Sequence, residues 1–204
     1  IPAQLGKDFI ETSVPSSGLG GLGPAQGEPY VAPARILHFE RVGNKVVLRW
    51  PNTYTVTHPG SPQAAGVRHS LPNSVIAVIP VSAQDATHVV ISADAFLGDI
   101  ADLADALNPS DAKPTEQYHL DPSRGFFLQA KAFPLNDMLR ADQSWVAPKS
   151  TLHDNAPDSR YVEVRITYNL IAAPDDGYVP RIDDPRIGYF SQPLMNFATD
   201  DGLH

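Results

Sequence analysis

Tyr161-Val162-Glu163-Val164-Arg165-Ile166-Thr167-Tyr168-Asn169-Leu170-Ile171 alternates apolar and polar residues almost without a break. That period of two places Val162, Val164, Ile166 and Tyr168 on one face of a strand and Glu163, Arg165, Thr167 and Asn169 on the other. A strand with one apolar and one polar face belongs in an antiparallel sheet that buries one side and wets the other. Shorter segments upstream repeat the pattern. Ile36 to Val42 and Lys45 to Trp50 flank Gly43-Asn44, a two-residue turn that predicts a hairpin. Lys7 to Val14 reads as an opening strand and Thr53 to Thr57, rich in β-branched residues, as a third. The apolar run Ser74 to Val81 and the segment Thr87 to Ser92 predict a second hairpin, its first strand central in the sheet.

Helical signal is confined to Asp94–Leu107. Ile100, Leu103 and Leu107 share one face at helical spacing, alanines raise the propensity, and Asp99, Asp102 and Asp105 are placed on the wet side until Asn108-Pro109 stops the run. Residues 58–72, polar and broken by Pro and Gly, read as a loop. Tyr118 to Leu128 predicts strand, turn, strand, and Met138 to Val146 an extended segment beyond Phe133-Pro134-Leu135-Asn136. Antiparallel hairpins with one principal helix near 95–107 predict an α+β domain with long loops.

Twenty prolines and fourteen glycines punctuate the 204 residues, which disfavours long helices; 42% apolar and 19% charged residues fit a folded protein. A net charge of −8 without Lys or Arg clusters excludes a nucleic-acid surface. Absence of cysteine removes disulfides, thiolate metal sites and cysteine nucleophiles. No apolar run reaches the roughly 20 residues of a membrane helix. The start, Ile1-Pro2-Ala3-Gln4, has neither an initiator Met nor signal-peptide features, and predicts a piece of a longer chain.

Catalytic signatures are missing. None of the seven histidines has a partner at i+4, and no His-Glu-x-x-His or Gly-x-Ser-x-Gly occurs. Gly18-Leu19-Gly20-Gly21-Leu22-Gly23 lacks the lysine and helix of a phosphate loop and reads as part of a flexible Gly/Pro loop over 15–33. The acid pairs Asp175-Asp176, Asp183-Asp184 and Asp200-Asp201 serve turns or calcium shells, but no alternating calcium-loop pattern surrounds them. No catalytic, metal or cofactor-binding residue is assigned. A different kind of segment closes the chain: Asp183-Asp184-Pro185-Arg186-Ile187-Gly188-Tyr189-Phe190-Ser191-Gln192 has the composition of a docking element.

Three segments, Arg35–Trp50, Tyr118–Asp137 and Tyr161–Phe190, resemble in the same order the N-terminal domain of unknown function that precedes the catalytic domain of bacterial zinc-dependent metalloproteases of the Met-zincin type. The resemblance covers most of the chain and is sharpest over Asp175–Phe190. It implies a periplasmic or secreted protein with a signal peptide upstream, and a zinc-bearing catalytic domain downstream that carries the peptidase chemistry. These residues would then be a non-catalytic accessory domain, 1–180, followed by a connector, 181–204. Its partners would be the downstream catalytic domain of the same chain and a peptide substrate.

In that frame Arg186 supplies charge-assisted hydrogen bonds, Tyr189 and Phe190 anchor in an apolar pocket, and Gly188 permits close backbone approach. The same residues could instead close this domain's own sheet. A separate expectation is a substrate- or glycan-binding module using Trp50, Tyr54 or Trp145, which requires those rings to be exposed.

Overall fold

Gly43 takes a left-handed φ of 59° and turns β2 (Arg35–Val42) back into β3 (Lys45–Trp50), so the expected hairpin forms with Val42 opposite Lys45. The computed structural model describes residues 5–18, 34–98, 100–149, 155–174, 186 and 194–198. Its strands continue in chain order from β1 (Asp8–Pro15) through the hairpin to β4 (Thr55–Val56), β5 (Ser74–Gln84), β6 (Val89–Ile91) and β7 (His119–Leu120). Then come β8 (Phe126–Ala132), β9 (Asn136–Val146), β10 (Tyr161–Ala172) and β11 (Met195–Asn196).

Nine of these strands build one antiparallel sheet in the order β6-β5-β3-β2-β1-β10-β9, with β7 and β8 end to end along the outer side of β9. β10 is the strand the alternation describes, and it is paired with β9 from Tyr161 to Ile171. The opening strand is central. β1 pairs with β2 on one side and β10 on the other, and so joins a half built from residues 35–91 to a half built from residues 119–172. Outside the sheet, β11 pairs in parallel with β4.

The α+β expectation is corrected: the protein is mainly β, a curled antiparallel sheet with little helix. No continuous helix spans 94–107. A 3-10 turn, Ala93–Leu97, is followed by Gly98, by Asp102 at a left-handed φ of 58°, and by only five helical residues, α2 (Leu103–Leu107). Side chains of the sheet explain the break. Gln143 Nε2 donates to the Gly98 carbonyl at 2.8 Å and Arg35 Nη1 donates to the Ile100 carbonyl, so two acceptors that a helix would use internally are taken. Burial of Phe96, Ile100, Leu103 and Leu107, each worth about 1.5–3 kcal/mol, outweighs the lost helical bonds at about 1 kcal/mol apiece.

The longer helix, α1 (Pro62–Ser70), lies in the segment that reads as a loop. Pro62 stands at the first helical position, where its missing N–H costs nothing, and Ser61 Oγ caps the helix by accepting from Ala64 N–H at 3.1 Å.

The core lies between one face of the sheet and residues 93–118. Phe9, Leu37, Leu48, Trp145, Val162, Val164, Ile166 and Tyr168 point to it from the strands. Phe96, Ile100, Ala101, Leu103, Leu107 and Tyr118 cover them, with Phe96 edge-on to Tyr168 at 5.7 Å. The opposite face is mixed, with Ile36, Ile10 and Ile171 side by side and ion pairs across the strands around them: Asp142 takes Arg165 at 2.6 and 2.8 Å, Glu40 takes Arg49 at 2.5 Å, and Asp8 meets His38 at 2.9 Å.

Candidate functional site

Strand phase brings a row of polar side chains into the core. Glu11 and Arg35 face each other across β1 and β2, and both are buried. Ser13 Oγ donates to Glu11 Oε1. Arg35 reaches the cover through the Ile100 carbonyl and through Asp102 Oδ2 at 2.9 Å, while its guanidinium lies 4.8 Å from the centre of the Trp50 ring. Across β10, Gln143 Nε2 donates to the Tyr168 hydroxyl at 2.9 Å as well as to Gly98. Glu11 Oε2, Arg35 Nε, Gln143 Oε1 and Trp145 Nε1 are buried without a hydrogen-bond partner. Such atoms cost about 1–3 kcal/mol each, so this row carries a polar burden of several kcal/mol.

Burial pushes the Glu11 carboxyl above its ordinary range; the Ser13 hydroxyl and the Arg35 charge pull the other way without cancelling it. A raised folded pKa means stability that is full below pH 4.5, the ordinary value, and is lost as the pH rises through the folded value. Glu11→Gln keeps the acceptor for Ser13 and removes the titration. Urea unfolding over a pH series should show wild type losing stability as pH rises above 4.5 and the variant losing less. Parallel curves would rule out this origin.

The residues singled out from the sequence fare differently. Arg186 lies in an exposed turn; Gly188, Tyr189 and Phe190 lie outside the described residues, as do the three acid pairs and the Gly-rich run beyond Gly18. Residues 195–197 pair with this domain: Met195 N–H donates to Tyr54 O and Phe197 N–H to Val56 O, both at 2.7 Å. Trp145 is 1% exposed and belongs to the core, and Arg35 stacks on the ring of Trp50, so an aromatic platform combining these rings with Tyr54 is not assembled. His38 and His88 pair with Asp8 and Asp85. Among the described residues no three His, Cys, Asp or Glu side chains gather to hold a metal.

Two surface features escape sequence reading. The β8–β9 hairpin ends in Phe133 and Leu135, 50% and 69% exposed, on strands that also expose Phe126 and Leu128. A polar cleft opens between β4 and α1.

One curled antiparallel sheet, ion-paired on one face and roofed on the other by a largely non-helical segment, defines a mainly β domain. Residues 31–202 match the family model described as a domain of unknown function, DUF5117, and the chain belongs to that family. No curated protein and no solved structure matches it.

Proposed function

We propose that this chain is a non-catalytic accessory domain of an exported bacterial zinc metalloprotease, which supports, orients or occludes a catalytic domain downstream. The observation that carries the reading is the apolar tip of the β8–β9 hairpin. Phe133, Pro134 and Leu135 stand in water at the end of a strand pair, and large exposed apolar side chains grouped in this way are a contact surface awaiting a partner. The tip falls within Tyr118–Asp137, one of the three segments that carry the resemblance to metalloprotease N-terminal domains. Arg186, Gly188, Tyr189 and Phe190 would extend the contact along the connector, and zinc would belong to the downstream domain.

The test uses the full-length protease with Phe133→Ser and Leu135→Ser together. Because both side chains are exposed, this domain's own stability should change by no more than about 0.5 kcal/mol. Loss of two apolar anchors should weaken interdomain docking by about 2 kcal/mol or more, read as altered peptidase activity and faster proteolytic cutting within 181–204. Zinc analysis of the full-length protein and of this chain alone accompanies it. Unchanged activity and unchanged cutting would overturn the docking role, and zinc or peptidase activity in this chain alone would overturn the non-catalytic reading.

A further inference from the structure

The cleft between β4 and α1 has a volume of about 330 Å³ and a polar lining of Asn52, Thr55, Thr57, Arg68 and Asn73. Hydrogen bonds fix what its two carboxamides offer. Asn73 Oδ1 accepts the Asn52 backbone N–H at 2.9 Å, and Asn52 Oδ1 accepts the Tyr54 backbone N–H at 3.1 Å. Each oxygen is committed to a backbone donor, so the NH2 ends are left for a ligand. Two amide donors, two hydroxyls and one guanidinium make a lining rich in donors, and no carboxylate stands among its described residues.

We propose that this cleft binds a carboxylate monoanion, either a small free acid or the acidic side chain of a peptide. Arg68 supplies a planar fork that matches a carboxylate edge, and the amides and hydroxyls can reach its remaining lone pairs. Charge sets the class. One guanidinium balances one negative charge, whereas a phosphate dianion would be left uncompensated beside the C-terminal, partly negative end of α1 and in a chain of net charge −8. Thr55 lines the cleft and is also the residue opposite Met195 in the β4–β11 pair, so occupancy would be felt at 195–197.

Titrations of the 204-residue chain, followed by amide proton–nitrogen resonances, test this with acetate, acetamide, inorganic phosphate and an uncharged-ended peptide containing one Glu. Acetate or the Glu peptide should give saturable shifts at residues 52–57, 67–73 and 195–197, the tighter of the two identifying the natural source. Arg68→Gln, at an exposed position, and Asn73→Asp, which keeps the acceptor for Asn52 but adds a negative charge, should each weaken binding at least about tenfold. Absence of saturable shifts, equal response to acetamide, tighter binding of phosphate, or wild-type affinity in both variants would each overturn the proposal.

Discussion

Ile10→Pro is expected to abolish cooperative folding of this domain. Ile10 lies opposite Ile36 on β2 and opposite Ile171 on β10, so its N–H faces a paired strand whichever way it points. Proline removes that donor and brings its ring into the ladder, which sheets tolerate only at edges or bulges. Losing a ladder hydrogen bond and leaving its acceptor unpaired costs about 1–3 kcal/mol before the ring's clash with the ladder, a large part of the 5–15 kcal/mol by which domains are stable. The damage does not stay local, because among the described residues the hydrogen-bonded ladder passes from one half of the sheet to the other through β1. Ile10→Val, which keeps the N–H, should cost about 0.5–1.5 kcal/mol. Circular dichroism during urea unfolding distinguishes them: no transition for the proline variant, a slightly earlier one for valine. A proline variant that melts like wild type would mean that β1 is not the central strand.

Arg35→Met is expected to destabilise the fold by about 1–3 kcal/mol, the range for leaving a buried acceptor without its donor. The methionine fills much of the space but leaves the Ile100 carbonyl without its donor and takes a positive charge away from the buried Glu11 carboxyl. The cover over 98–102 should loosen first, since Arg35 is bonded to it at two points. Hydrogen exchange across 93–107 reads this directly. Glu11→Gln added to Arg35→Met should restore part of the loss, because it removes a carboxyl whose charged form burial disfavours and the Arg35 charge no longer favours, so the two changes should depart from additivity in a double-mutant cycle. Additive effects would show that Glu11 and Arg35 are neighbours without being coupled.

The two halves of the sheet were legible because alternation and turn chemistry are local. Gly43-Asn44 and the run Tyr161 to Ile171 needed no distant information to be read correctly. The segment over 94–107 misled because Ile100, Leu103 and Leu107 fit a helix stripe and a folded-over roof equally well. What breaks the helix is Arg35 and Gln143, 65 and 45 residues from the carbonyls they engage. In 62–70 a proline was read as a breaker although Ser61 before it marks the position where proline starts a helix.

The polar row was harder still. Along β1 both phases carry apolar residues, Phe9 on one and Ile10 and Val14 on the other, so nothing local says that Glu11 and Ser13 face the core. Burial of Glu11 follows from its neighbours on β2 and β10, which only the tertiary pairing supplies. A Glu sharing phase with a buried Phe was the available hint.

The position of β1 also dictates when the chain can fold. During synthesis β1 emerges first, but its longer partnership is with β10; Ser16 and Thr167, whose hydroxyls meet at the end of that pair, are 151 residues apart. Until the ribosome has made β10, the early strand has one edge open, with a row of unsatisfied N–H and C=O groups beside Phe9 and Val14. Closing so long a loop before the contacts repay it puts folding in the slow, non-local regime, on the order of milliseconds to seconds. The sheet therefore closes only once β10 has been made, and a nascent chain stalled before residue 161 would hold a half-sheet with an adhesive edge.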